Sequence, residues 1–248
     1  MIAPGKVEKY IIENSKKGTI LAALIDPEDF SPTKAAQTAV AAEKAGASMI
    51  LVGGSTISDQ GRLDAVVRAI KKVATSHVVL FPGNITGVSR HADAILFSSL
   101  LNSTNPYFIM GAQALGAMEV YMSGLESIPM GYLVLGGGSA TSFIGQVNSI
   151  PPSKPNLAVI YSLAAQYLGM RSLYLEAGSG AHDPIPPETI RLVRKYYSGI
   201  LIVGGGITTP EAAKRAAAEG ADVLVVGNML QGPGYESKLR EISDAIER

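Results

Sequence analysis

Eight short apolar runs, separated mostly by helical patterns, constrain this chain more than any other feature. They are "TILAALID" (19–26), "SMILVGG" (48–54), "VVLFP" (78–82), "AILFS" (94–98), "YLVLGG" (132–137), "SLYLEA" (172–177), "ILIVGG" (200–205) and "DVLVVGN" (222–228). Each is too continuously apolar to leave one face in water, as expected for parallel strands covered on both sides. Helical periodicity falls at about 32–45, 60–74, 105–121, 155–168, 187–197, 209–219 and 234–247. Asn105-Pro106 and Thr209-Pro210 each place a capping side chain before a proline at the first helical position. The pattern predicts one α/β domain over 1–248, a TIM (β/α)8 barrel. A doubly wound sheet is the alternative. A short amphipathic helix, with Val7, Ile11 and Ile12 on one side, precedes the first strand.

One unit is irregular. Only 11 residues, "GNITGVSRHAD", join "VVLFP" to "AILFS". Parallel strands need a crossover of a dozen or more residues, usually helical. This one carries Gly83, Asn84 and Gly87 and no helical period, so the third helix is expected to be missing and replaced by an extended segment. The longest loop, 137–154, has the length of a lid or binding loop.

Composition excludes several classes. Formal net charge is zero, with 21 basic and 21 acidic residues. No long-range field marks a nucleic-acid binder, so an anion must be held by local devices. The absence of cysteine removes disulfides and thiolate metal sites and suits the cytoplasm. No apolar run reaches the roughly 18 residues of a membrane span. The N-terminus lacks the apolar core of a signal peptide. His77, His91 and His182 are scattered and form no ligand cluster.

The chemistry is expected at the strand ends. In a barrel a phosphate commonly lies between the loops after strands seven and eight. Strand seven ends in Gly204-Gly205-Gly206 and strand eight in Gly227-Asn228. Glycines let backbone N–H groups approach a phosphate, although one such end alone would mean only a turn. Strand six ends in "YLEAGSGA" (174–181). Alternation puts Tyr174 and Glu176 on one side. A carboxylate closing a buried strand is costly unless paired or used. It is either the acceptor of a substrate proton or a structural group held by a lysine or arginine. Asp26 closes strand one and Ser55 stands beside it after strand two. They form either a turn with a cap or a sparse oxygen site of the kind magnesium uses.

These stretches together ("LIDP", "VGGS", "LFPGN", "SLLNS", "YLEAGSGA", "VGGGI", "VVGN") resemble the geranylgeranylglyceryl phosphate synthase family, which includes bacterial heptaprenylglyceryl phosphate synthases. The resemblance covers nearly the whole chain. It implies a barrel lacking its third helix, with Mg²⁺ at Asp26 and Ser55. It implies glycerol 1-phosphate held by Tyr174, Leu175, Glu176, Ala177, Gly178, Ser179 and Gly180, by Gly205 and Gly206, and by Gly227 and Asn228. A polyprenyl diphosphate, geranylgeranyl diphosphate first, would be transferred to its C3 hydroxyl in an ether-lipid pathway, with Glu176 and Asp26 as catalytic groups. A sugar-phosphate isomerase or lyase is a competing reading. The strand-five end "LGGGS" offers it no acid or base. A non-catalytic phosphate binder is another, with little need for Glu176 and Asp26.

The sequence does not fix prenyl length; Phe97, Leu100 and Leu101 are candidate blockers of an apolar groove. The helices at 106–121 and 156–169 carry one charged side chain between them, Glu119. Their outer faces need a cover. Burial under the 137–154 loop is one answer and a homo-oligomer interface the other. Peripheral contact with a membrane is left open.

Overall fold

The computed structural model describes residues 3–55 and 59–247. Eight parallel strands close in sequence order: β1 (Ile20–Ile25), β2 (Met49–Val52), β3 (His77–Leu80), β4 (Ala94–Leu100), β5 (Glu126–Val134), β6 (Ser172–Glu176), β7 (Ile200–Gly204) and β8 (Val223–Val226). β8 pairs back onto β1, with Ala22 opposite Val225. This is a TIM barrel, not a doubly wound sheet. The helices are α1 (Lys6–Ser15), α2 (Pro32–Lys44), α3 (Gln60–Lys71), α4 (Ala112–Ser123), α5 (Ala140–Ile144), α6 (Pro155–Tyr167), α7 (Pro187–Tyr196), α8 (Pro210–Ala218) and α9 (Tyr235–Ile246).

Strand alternation sorts the apolar side chains into two layers. Ala22, Leu51, Val79, Met130, Ile202 and Val225 fill the barrel. Leu21, Ile50, Leu133, Leu173, Leu201 and Leu224 face the helices. The end of the barrel where the strands begin is plugged by α1, which inserts Val7 and Ile11 into the inner layer. The first N–H groups of a helix need acceptors, and Gly5 supplies no side-chain cap here. Glu126 does so instead, accepting from the Val7 and Glu8 N–H groups at 2.7 and 2.8 Å. Glu8 is fully buried and binds Arg171 through two bonds of 2.6 and 2.8 Å.

Between β3 and β4 the described residues form a single 3-10 turn, Ile85–Gly87, and no α-helix. Asn84 accepts from the Thr86 N–H at 2.8 Å. The missing third helix is therefore real.

Two elements differ from the sequence reading. β5 begins at Glu126 rather than 132, and residues 135–137 lie beyond it. Pro129 and Gly131 interrupt the apolar run, but the β4–β5 register continues through both. The 137–154 loop contains α5, held by a reciprocal capping box between Ser139 and Ser142.

α4 and α6 are not buried under that loop. Met118, Tyr121, Ile160 and Tyr167 are between 63% and 80% exposed.

Candidate active site

The strand ends build two connected cavities. The smaller is a cup between the loops after β6, β7 and β8. Ser179, Gly180, Gly205, Gly206, Gly227 and Asn228 line it, with Tyr174 and Glu176 at its base. Gly205 and Gly206 take φ of +81° and +69°, which side-chain-bearing residues rarely adopt. A Cβ on Gly205 would lie 2.5 Å from Glu176 Oε1 and 2.8 Å from the Gly178 nitrogen. The glycine therefore lets this turn pack onto the β6 loop. Among the described residues, no acceptor meets the Gly205 or Gly206 N–H. Ser179 Oγ donates to Asn228 Oδ1 at 3.2 Å and ties the rims of the cup together. Backbone donors without protein partners beside small polar side chains suit a phosphate.

Glu176 sits where the cup meets the larger cavity and lines both. Among the described residues, no lysine or arginine holds it. Oε1 accepts from the Gly178 N–H at 2.6 Å and Oε2 from the Tyr132 hydroxyl at 3.1 Å. Burial pushes its carboxyl above the ordinary range, opposed by the Gly178 N–H and by the Tyr132 and Tyr174 hydroxyls. Burial and the Glu176 charge push the Tyr132 and Tyr174 hydroxyls well above theirs, so both remain donors. Phe81 stacks on Tyr174 at 5.0 Å and meets Tyr132 edge-on at 5.5 Å. These three rings form an aromatic floor beside the carboxylate.

The larger cavity starts at Asp26 and Ser55. Asp26 Oδ1 accepts from the Glu28 N–H at 2.9 Å, closing a turn. The carboxylate also lines the cavity. A Cβ on Gly54 would lie 2.0 Å from Oδ2, so a glycine is needed there. Burial raises the Asp26 carboxyl; the Glu28 N–H opposes this, and Asp29 and Glu28 add to it. Ser55 Oγ lies 3.0 Å from Thr141 Oγ1 on α5. The cavity then runs between β4 and α4, past Ile85, Val88, Ile95, Phe97, Phe108 and Val120. That is the space a third helix would fill.

The structure brings most of the expected residues to this mouth. Leu175 is not among them: its side chain is fully buried in the layer between barrel and helices, the parity opposite to Glu176. Ala177 contributes backbone, its N–H donating to Gly204 O at 3.0 Å. Phe97 and Leu100 line the groove, but Leu101 turns outward and packs over Gly131. His182 is almost fully exposed beside Asp183, a surface loop residue. Sequence reasoning missed Tyr132, Phe81 and Thr141.

Among the described residues, no three His, Cys, Asp or Glu side chains converge as a metal cage. The donors are Asp26, Asp29 and Ser55, all oxygen and all on the cavity wall. That set fits Mg²⁺, which retains waters and takes further ligands from substrate phosphates.

A glycine-walled anion cup, one buried carboxylate and an adjoining apolar groove define a phosphate-binding barrel for a substrate with a long apolar part. The chain belongs to the PcrB family, whose model matches residues 13–246. It is 57% identical over 235 residues to the geranylgeranylglyceryl phosphate synthase of Cenarchaeum symbiosum, covering 94% of this chain and 95% of that one. To the synthase of the same name from Thermococcus gammatolerans it is 51% identical, covering 97% and 96%. Among solved structures, the (S)-3-O-geranylgeranylglyceryl phosphate synthase of Thermoplasma acidophilum, in complex with sn-glycerol-1-phosphate, superposes with a TM-score of 0.95. It is 37% identical, covering 98% of this chain and 99% of that one.

Proposed function

We propose that this chain joins a polyprenyl diphosphate, geranylgeranyl diphosphate first, to the C3 hydroxyl of sn-glycerol 1-phosphate. One observation carries the reading: a single carboxylate, Glu176, stands at the junction of an anion cup and a long apolar groove. The relatives' names and the glycerol phosphate bound in the Thermoplasma acidophilum structure support the substrate pair.

The chemistry follows from the geometry. The phosphate of the acceptor is held by the Gly205 and Gly206 N–H groups and by Ser179 and Asn228. This places its C3 hydroxyl near Glu176, which accepts the proton as the oxygen attacks C1 of the donor. The new C–O bond forms while the bond from C1 to the diphosphate breaks, and diphosphate leaves. Tyr132 and Tyr174 hold the carboxylate in orientation, and the aromatic floor excludes water that would compete for the allylic carbon. Mg²⁺, when bound through Asp26 and Ser55, supplies charge neutralisation for the leaving diphosphate. Positioning both substrates in one cavity accounts for much of the acceleration.

The test is a transfer assay with geranylgeranyl diphosphate and each glycerol phosphate enantiomer. The expected product is the ether of sn-glycerol 1-phosphate. No ether product, or equal use of the two enantiomers, would sink the reading.

The apolar outer faces of α4 and α6 belong, in the same proposal, to a contact with a second copy of the chain in the cytoplasm. Met118, Tyr121, Ile160 and Tyr167 are exposed there, and contiguous exposed apolar surface marks interaction sites. Ile160→Glu puts a charge on the exposed face of α6 and is expected to convert an oligomer to monomers at micromolar concentration. Sedimentation showing a monomeric parent would refute the contact.

A further inference from the structure

One wall of the apolar groove is an irregular piece of helix. Ahead of α4 the chain makes a π-helical turn, Tyr107–Gly111. Such turns are rare and tend to occur at functional sites. Two side chains hold this one to β4. Ser99 Oγ donates to Ile109 O at 2.7 Å. Gln113 Nε2 donates to Phe108 O at 3.1 Å and to Ser98 O at 2.5 Å.

The position of these bonds follows from the missing helix. β3 pairs with β4 only as far as Ile95, whereas β5 pairs along it to Leu100. Ser98 lies beyond the last β3–β4 pair, and the Gln113 amide meets its carbonyl. The other end of that amide is anomalous. Among the described residues, Gln113 Oε1 is buried without a hydrogen-bond partner. Swapping its oxygen and nitrogen would aim an acceptor at two carbonyls, so the orientation is fixed. A leucine would fill similar space with no unpaired acceptor. The amide is therefore explained by its N–H groups, which lock the turn. Phe108, inside the turn, and Gln113 itself line the groove.

We propose that Gln113, assisted by Ser99, is a specificity-determining positioning residue. By holding the π-turn it fixes the Phe108 ring in the groove wall and thereby sets the prenyl length accepted. This rests on the prenyltransferase reading above. Without the two anchors the segment relaxes toward an ordinary α-turn, Phe108 swings off the wall, and longer chains fit.

The experiment compares parent, Gln113→Leu and Ser99→Ala with farnesyl, geranylgeranyl and longer polyprenyl diphosphates, alongside thermal unfolding and the KM for glycerol phosphate. In Gln113→Leu the kcat/KM ratio of longer donor to geranylgeranyl donor is expected to rise about tenfold, a size pocket discrimination commonly reaches. Ser99→Ala is expected to shift the same way by less, with the glycerol phosphate KM unchanged in both. An unchanged ratio in both variants overturns the proposal. So does equal loss with every donor, the signature of mere destabilisation. A parent inert toward all donors would instead defeat the transferase reading itself.

Discussion

Glu176→Gln is expected to lower turnover by roughly 10²–10⁴-fold, the size of a general acid–base contribution, without destabilising the protein. The amide keeps the shape, and its oxygen still accepts from the Gly178 N–H or from Tyr132. What disappears is the proton acceptor at the junction of cup and groove. The buried carboxyl has a folded-state pKa above its ordinary value. Its contribution to stability is thus fully present below the unfolded carboxylate pKa and is lost as pH rises through the folded one. At neutral pH the parent carries the cost of that buried charge, and the glutamine variant does not. Thermal unfolding at acidic and neutral pH should therefore show the parent losing stability relative to Glu176→Gln as pH rises. The acid limb of kcat/KM, rising with pH through the same group, should vanish in the variant. Unchanged turnover at saturating glycerol phosphate would reduce Glu176 to a structural role.

Most of this site could be read in the sequence because barrel enzymes place function at strand ends, where an apolar run stops on a residue it has no packing reason to contain. Asp26, Glu176 and the glycines after β7 and β8 stand out for that reason. Leu175 falls away by the same parity that selects Tyr174 and Glu176. Tyr132 is hidden by a strand boundary. Pro129 and Gly131 make β5 look as if it begins at 132, which conceals the inward parity of Ile128, Met130 and Tyr132. Thr141 is hidden by distance, since its partner Ser55 is 86 residues away. The π-turn has no local signature. Asn105-Pro106 announces an ordinary helix start, and only the tertiary bonds from Ser99 and Gln113 decide otherwise. The missing third helix is legible because it is a matter of length, and a connection this short does not hold a crossover helix.

Asp26→Asn is expected to reduce kcat/KM by about 10²-fold or more, the size of losing one well-placed electrostatic group at a developing charge. The substitution isolates charge from structure. The amide oxygen of the variant would still accept from the Glu28 N–H, and the backbone turn through the Asp29 and Phe30 N–H groups to the residue 26 carbonyl is untouched. The wall opposite, opened by Gly54, still admits a group of the same size. The expected defect is specific to the diphosphate half of the reaction. Mg²⁺ titration should show a weaker apparent affinity, calorimetry should show weaker Mg²⁺-dependent binding of inorganic diphosphate, and the KM for glycerol phosphate should move little. Burial at Asp26 sharpens the contrast, because a carboxyl raised by desolvation with Asp29 and Glu28 nearby gains much from a cation. If Asp26→Asn binds diphosphate and Mg²⁺ as the parent does, Asp26 is only the closing residue of its turn, and the donor site must be sought at Asp29 and the β2 loop.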